Sequence, residues 1–83
     1  MSGFKIVVLD RGWVFVGDVS ASADALTISN ASCIRRWGTH RGLGQLAADG
    51  PQPGTELDPS GTVRAPMRAV ILTLDTEPSL WSR

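Results

Sequence analysis

The densest chemistry in this chain lies at residues 35–45, RRWGTHRGLGQ. The stretch holds Arg35, Arg36 and Arg41, one histidine (His40), one tryptophan (Trp37), Thr39, and the glycines Gly38, Gly42 and Gly44. Arginine presents planar paired donors that match phosphate and carboxylate. Glycines let backbone N–H groups approach an anion closely, and the start of a helix adds partial positive charge. Trp37 offers a face on which a base can stack. The pattern predicts a site for a small phosphorylated ligand built from these nine residues, Arg35 to Gly42 and Gly44. Trp13, Arg64 and Arg68 are additional candidates. The charge is local: Arg35, Arg36 and Arg41 give +3 over residues 35–41, and Asp49, Glu56 and Asp58 give −3 over residues 49–58. The alternative is that these two halves pair with each other while Trp37 fills the core. Sequence leaves both open.

Other constellations carry less. Cys33 and His40 have a spacing at which a thiol and an imidazole can meet, but no third orienting group is identifiable. Cys33 reads more simply as a small apolar residue. Asp49, Glu56 and Asp58 are oxygen donors without the alternation of a calcium loop. GLGQLA, 42–47, matches a dinucleotide fingerprint in letters only, because no βαβ unit surrounds it. No Gly-Lys-Ser/Thr sequence is present for a phosphate loop of the NTPase kind. The reading is of a non-enzymatic protein, with no cofactor and no metal expected.

Those residues need elements to hold them. FKIVVLD, 4–10, is a strand-like apolar run, and Arg11-Gly12 is a turn signal. WVFVGDVS, 13–20, resumes strand chemistry, with Trp13, Phe15 and Val19 on one face and Val14, Val16 and Asp18 on the other. Trp13 and Phe15 are therefore expected in the core. Gly17 predicts a bulge or tight bend. ALTIS, 25–29, is a third strand, residues 30–32 can turn, and Cys33 with Ile34 opens a further short strand.

Residues 35–61 hold six of the nine glycines and three of the five prolines, which predicts a long loop. Within it LGQLAAD, 43–49, is a helical candidate that buries Leu43, Leu46 and Ala47 and stops at Gly50-Pro51. Strands return at 62–65 and 68–75, divided at Pro66, which cannot donate to a ladder. The tail 76–83 carries Leu80 and Trp81, which can dock on the body or on a neighbouring subunit.

Length and balance bound the rest. Eighty-three residues suffice for one small domain, 1–83. Zero formal charge, from eight basic and eight acidic residues, argues against a generally basic nucleic-acid coat. A single cysteine precludes an internal disulfide and fits a reducing cytoplasm. No run approaches the roughly 20 apolar residues of a membrane span, and no export signal is read at the start. Neutral charge and a small core favour a homo-oligomer.

The bent strand at Gly17 and the segment GTVRAPMRAV resemble the SH3-like barrel and its Sm-like variant. The resemblance implies a mostly β, five-stranded barrel with a long loop carrying one short helix. Two features depart from Sm proteins: no acidic–asparagine base pocket follows the bent strand, and residues 35–61 have no counterpart. LDRGWVFVG, NASCIRRWGTHRGLGQLA and LDPSGTVRAP also resemble a family of small proteins of tailed bacteriophages and prophages. That resemblance implies a viral accessory protein acting in the cytoplasm of an infected bacterium. Three functions follow as expectations. The first is binding of a small anionic ligand, with sequestration of a nucleotide immune signal of the host. The second is an RNA-binding module of Sm-like or SH3-like type. The third is a protein-binding inhibitor of a host factor.

Overall fold

The computed structural model describes residues 2–81. The apolar run after Gly3 forms β1 (Ser2–Leu9), and a 3₁₀ turn at Asp10–Gly12 reverses the chain. Arg11 and Gly12 are consecutive left-handed residues, at φ 66° and 81°, and the Leu9 N–H donates to the Trp13 carbonyl at 2.7 Å. Then come β2 (Val14–Ala21), β3 (Ala25–Arg36), the helix α1 (Leu43–Asp49), β4 (Glu56–Pro66), a 3₁₀ turn at Met67–Ala69, β5 (Val70–Asp75) and a final 3₁₀ turn at Pro78–Trp81. The strands form one sheet in the order β4-β3-β2-β1-β5, every neighbour antiparallel. Among the described residues the chain is mostly β, with five strands and one short helix, as its sequence predicts.

The loop boundaries differ from the expectation. β3 does not end near Ser29, and β4 begins at Glu56 instead of Thr62. The turn-like residues are bulges inside one long hairpin. Asn30 (φ 50°) and Gly61 (φ 68°) take left-handed conformations, and the β3–β4 register shifts around Ala31 and is recovered at Ser32↔Pro59. Pro59 is tolerated because β4 lies at the sheet edge. The connection shrinks from 35–61 to 37–55.

Gly17 bends β2 as expected. The β2–β3 register shifts between Val16 and Asp18, and a Cβ on Gly17 would stand 2.7 Å from Ile28 Cγ2 and 2.8 Å from the Ser29 carbonyl oxygen. Overpacking a site of this kind costs about 1–3 kcal/mol, and each kcal/mol moves the Tm of so small a domain by roughly 4–8 °C. Gly17→Ala is therefore expected to melt at least about 5 °C below wild type. An unchanged melting curve by circular dichroism would contradict the close crossing.

The sheet buries both faces. One face carries Val7, Leu9, Phe15, Val19, Leu26, Ile28, Ala31 and Ala65, with Cys33, Val63, Met67 and Val70 packed against it. Both edge strands, β4 and β5, supply this cluster, so the sheet curls around it as a small barrel does. The other face carries Ile6, Val14, Val16 and Ile34, covered by Leu46 and Ala47 of α1 and by Trp81. This explains the unbroken apolar run of β1: successive side chains point to opposite faces and both faces are covered.

The helix stops where predicted. Gly50, at φ 80°, donates its N–H to the Leu46 carbonyl at 2.9 Å. The tail docks there: the Glu77 N–H donates to the Ala47 carbonyl at 3.2 Å, and a Cβ on Gly50 would meet Leu80 at 2.8 Å. Trp81 is 3% exposed and lies 5.9 Å from the Phe4 ring. The docked alternative thus describes Trp81, while Ser82 and Arg83 of the expected tail lie outside the described residues. Among the described residues no helix is long and apolar enough to cross a membrane.

Two aromatics are not core residues. Trp13 is 55% exposed, because β2 begins only at Val14 and the core ends with Phe15. Trp37 is 42% exposed, because β3 ends at Arg36 and the chain leaves the sheet.

Candidate functional site

The hairpin of β3 and β4 decides the state of the first two arginines. Its register sets Arg36 opposite Glu56 and Cys33 opposite Asp58. Arg35 pairs with Asp58: Nη1 donates to Oδ1 at 3.5 Å, and Nε lies 3.3 Å from Oδ2. Arg36 Nε lies 3.6 Å from Glu56 Oε2. Two of the three arginines therefore pair with the acidic half of the loop. All four side chains are about half exposed or more, and such surface pairs contribute only about 0–1 kcal/mol each. Among the described residues neither Arg41 nor the His40 ring forms an ion pair.

The loop backbone is tied at several points. Gly38, at φ 68°, passes so close to Gly54 that a Cβ would stand 2.3 Å from the Gly54 carbonyl carbon. Thr55 donates its hydroxyl to the Trp37 carbonyl at 2.6 Å and accepts from the Gln52 N–H at 2.8 Å. Thr39 donates its hydroxyl to the Gly42 carbonyl at 3.0 Å. Gln45 Oε1 accepts from the backbone N–H groups of His40 at 3.1 Å and Arg41 at 2.8 Å.

The backbone N–H groups of His40 and Arg41 are taken by the Gln45 side chain. What remains available is side-chain chemistry: the Arg41 guanidinium, the His40 ring and the Trp37 ring. Gln45 was not among the predicted site residues. Its signal was present, since a Gln three residues after the residue that starts a helix characteristically reaches back to the preceding turn. Gly42, at φ 82°, has the Trp37 ring as its nearest neighbour, 4.0 Å from a built Cβ, while Gly44 faces open space.

Arg64 and Arg68 do not join the cluster. Arg64 pairs in register with Thr27, eight residues along β3 from Arg35, or roughly 25 Å of strand at about 3.3 Å per residue. Arg68 sits in the Met67–Ala69 turn beyond that same end.

Trp13 does lie at the arginine end. Phe15 is opposite Cys33, and Cys33 is opposite Asp58, forming one row across three strands. Trp13 and Arg35 each lie one pleat further along, on the same face. The Trp13 and Phe15 rings stack, with centroids 6.1 Å apart and planes 9° from parallel. Cys33 is half-buried in this row. Burial pushes its thiol up from the usual range, the Asp58 carboxylate pushes it further, and Arg35 opposes both. A raised thiol is a poor nucleophile near neutral pH.

None of the protein-family models, curated proteins or solved structures compared with this chain matches it. Its own geometry must carry the chemistry. The candidate groups lie on an open surface at one end of the sheet, with Glu56 and Asp58 occupied by arginines. Such an arrangement suits reversible recognition through charge and stacking.

Proposed function

We propose that this protein is a non-enzymatic binding module whose loop at residues 36–41 takes a small phosphorylated ligand. The supporting observation is that Arg41 and His40, which form no ion pair among the described residues, share with the half-exposed Trp37 a loop whose backbone Gln45, Thr39 and Thr55 already fix. A loop ordered before binding loses less freedom when the ligand arrives. The Arg36–Glu56 pair is weak and exposed, so a phosphate can displace the carboxylate with little loss.

The resemblance to tailed-phage proteins gives this binding its setting. In that setting the protein is a phage accessory factor in the bacterial cytoplasm, and the ligand is a nucleotide immune signal removed from use. A second copy closes the open surface into a deeper site, which makes the working form a homo-oligomer. One observation favours a second reading, inhibition of a host protein: Ile71 and Leu72 on the β5 edge are 59% and 45% exposed. An apolar sheet edge suits a protein partner.

Native mass spectrometry of gently purified protein tests the first reading. A nucleotide-sized adduct is expected on the wild type and is expected to vanish from Arg36→Ala/Arg41→Ala. Both side chains are exposed, so the double variant should melt within a few degrees of wild type. An adduct that survives the double substitution removes the loop from the site. A double variant that unfolds makes the arginines structural.

A further inference from the structure

We infer that the Trp13–Phe15 stack beside Arg35 is a platform for a nucleobase, and that the ligand is a free nucleotide. The inference rests on the reading of the 36–41 loop as a phosphate holder and supplies the other half of the ligand. Three observations carry it. Phe15 lies against one side of the Trp13 indole in an offset, nearly parallel stack, and the Trp13 side chain is still 55% exposed. The opposite face is thus open to a further flat ring. The platform is also anchored, because Phe15 packs in the core cluster of Val7, Leu9, Val19 and Ile28. An aromatic held in this way has little motion left to lose on stacking.

The third observation is the neighbour. Phe15–Cys33–Asp58 is the last paired row of β2 with β3, and Trp13 and Arg35 each lie two residues beyond it at the same end of the sheet. Asp58 accepts from Nη1 of the Arg35 guanidinium, and Nη2 has no partner among the described residues. In the proposed pose a flat ring on Trp13 takes its edge hydrogen bonds from Nη2. Base carbonyls and ring nitrogens are acceptors of that kind. A cationic partner, such as an arginine of a peptide, would meet Arg35 as a like charge, with Asp58 already paired. Arg35 is followed by Arg36, whose side chain points to the opposite face of β3, so a nucleotide with its base on Trp13 reaches the 36–41 loop around the end of the strand. A base in RNA and a base in a free nucleotide share this chemistry. Zero net charge and few uncommitted cations favour the free nucleotide.

Isothermal titration with ATP, inorganic tripolyphosphate and an adenine oligoribonucleotide separates the alternatives, using wild type, Trp13→Leu and Arg36→Ala/Arg41→Ala. ATP is expected to bind about tenfold or more tightly than tripolyphosphate, the gain typical of one base–aromatic stack. Trp13→Leu is expected to erase that advantage and leave tripolyphosphate affinity unchanged. Phosphate-free adenosine is expected to shift the indole N–H resonance of Trp13, assigned through the same variant. Equal affinities for ATP and tripolyphosphate, or an advantage that survives Trp13→Leu, overturn the platform and leave the loop reading standing. Tripolyphosphate affinity that survives the double arginine substitution overturns the loop reading, whatever Trp13 does. An oligoribonucleotide bound tenfold more tightly per base than ATP overturns the assignment to a free nucleotide. No binding by any of the four probes, adenosine included, overturns the platform.

Discussion

Replacing Trp81 by alanine is expected to lower the melting temperature by roughly 15 °C or more. Truncating a buried tryptophan costs about 3–5 kcal/mol, and the stability of a whole domain is only about 5–15 kcal/mol. In a domain of this size each kcal/mol is worth roughly 4–8 °C. Trp81 is 3% exposed, tilts against Phe4, and closes the outer cluster over Ile6, Val14, Val16 and Ile34. Its loss would also free the Pro78–Trp81 turn from α1. Trp81→Phe is the informative partner. The indole N–H is buried and has no hydrogen-bond partner among the described residues, a state that costs about 1–3 kcal/mol. Phenylalanine keeps the ring contact and removes that orphan donor, so this variant should melt much closer to wild type than alanine does. Thermal melts followed by circular dichroism compare the three. If Trp81→Ala melts like wild type and only its subunit mass in light scattering changes, the tail belongs to a neighbour and not to its own chain.

Gly38→Ala should be the second most damaging change. Gly38 holds φ 68°, a left-handed conformation that costs an L-residue about 1–2 kcal/mol. The new methyl would also stand 2.3 Å from the Gly54 carbonyl carbon and 2.5 Å from the Thr55 nitrogen. Both are backbone atoms, so no side chain can swing aside. The strands of the loop must part, and with them the bond from Thr55 to the Trp37 carbonyl. A fall of about 10 °C in melting temperature is expected, with loss of binding at the 36–41 loop. Gly44→Ala is the matched control. It lies within α1, its added methyl meets nothing within 4 Å, and alanine favours a helix over glycine by roughly 0.5–1 kcal/mol. Gly44→Ala should melt at or slightly above wild type. Equal melting of the two variants would mean that Gly38 is not pressed against Gly54.

Much of the architecture is legible in local residue chemistry. The β1 run, the bend at Gly17, the helix at 43–49 and the break at Pro66 each follow from side chains that allow little else. The middle of the long hairpin is not legible in this way. Asn30 and the Pro59-Ser60-Gly61 segment have turn chemistry, and a turn and a bulge use the same left-handed residues. Only the partner strand distinguishes them, and that partner lies some thirty residues away: Ala31 faces Gly61.

Burial at the strand ends was hidden for a related reason. Period two assigned Trp13 to the face it occupies, stacked on Phe15, but periodicity does not say where the core stops. The same holds for Trp37, one residue past the end of β3. For the candidate site, the opposed charges of residues 35–41 and 49–58 were visible in the sequence, and two of the resulting pairs form. Which arginine would remain unpaired depended on the register of β3 and β4, and so on the bulges at Asn30 and Gly61.

Trp81 also bears on the order in which the molecule assembles. Phe4 and Trp81 touch, and Thr76 donates its hydroxyl to the Phe4 carbonyl across 72 residues of chain. The β1–β2 and β2–β3 pairings close over short connections, whereas the outer cluster requires nearly the full length of the chain to be gathered first. Loop closure on that scale costs entropy before any contact repays it. The inner core and its hairpins can therefore form early, while the outer cluster is sealed late by the docking of α1 and Trp81.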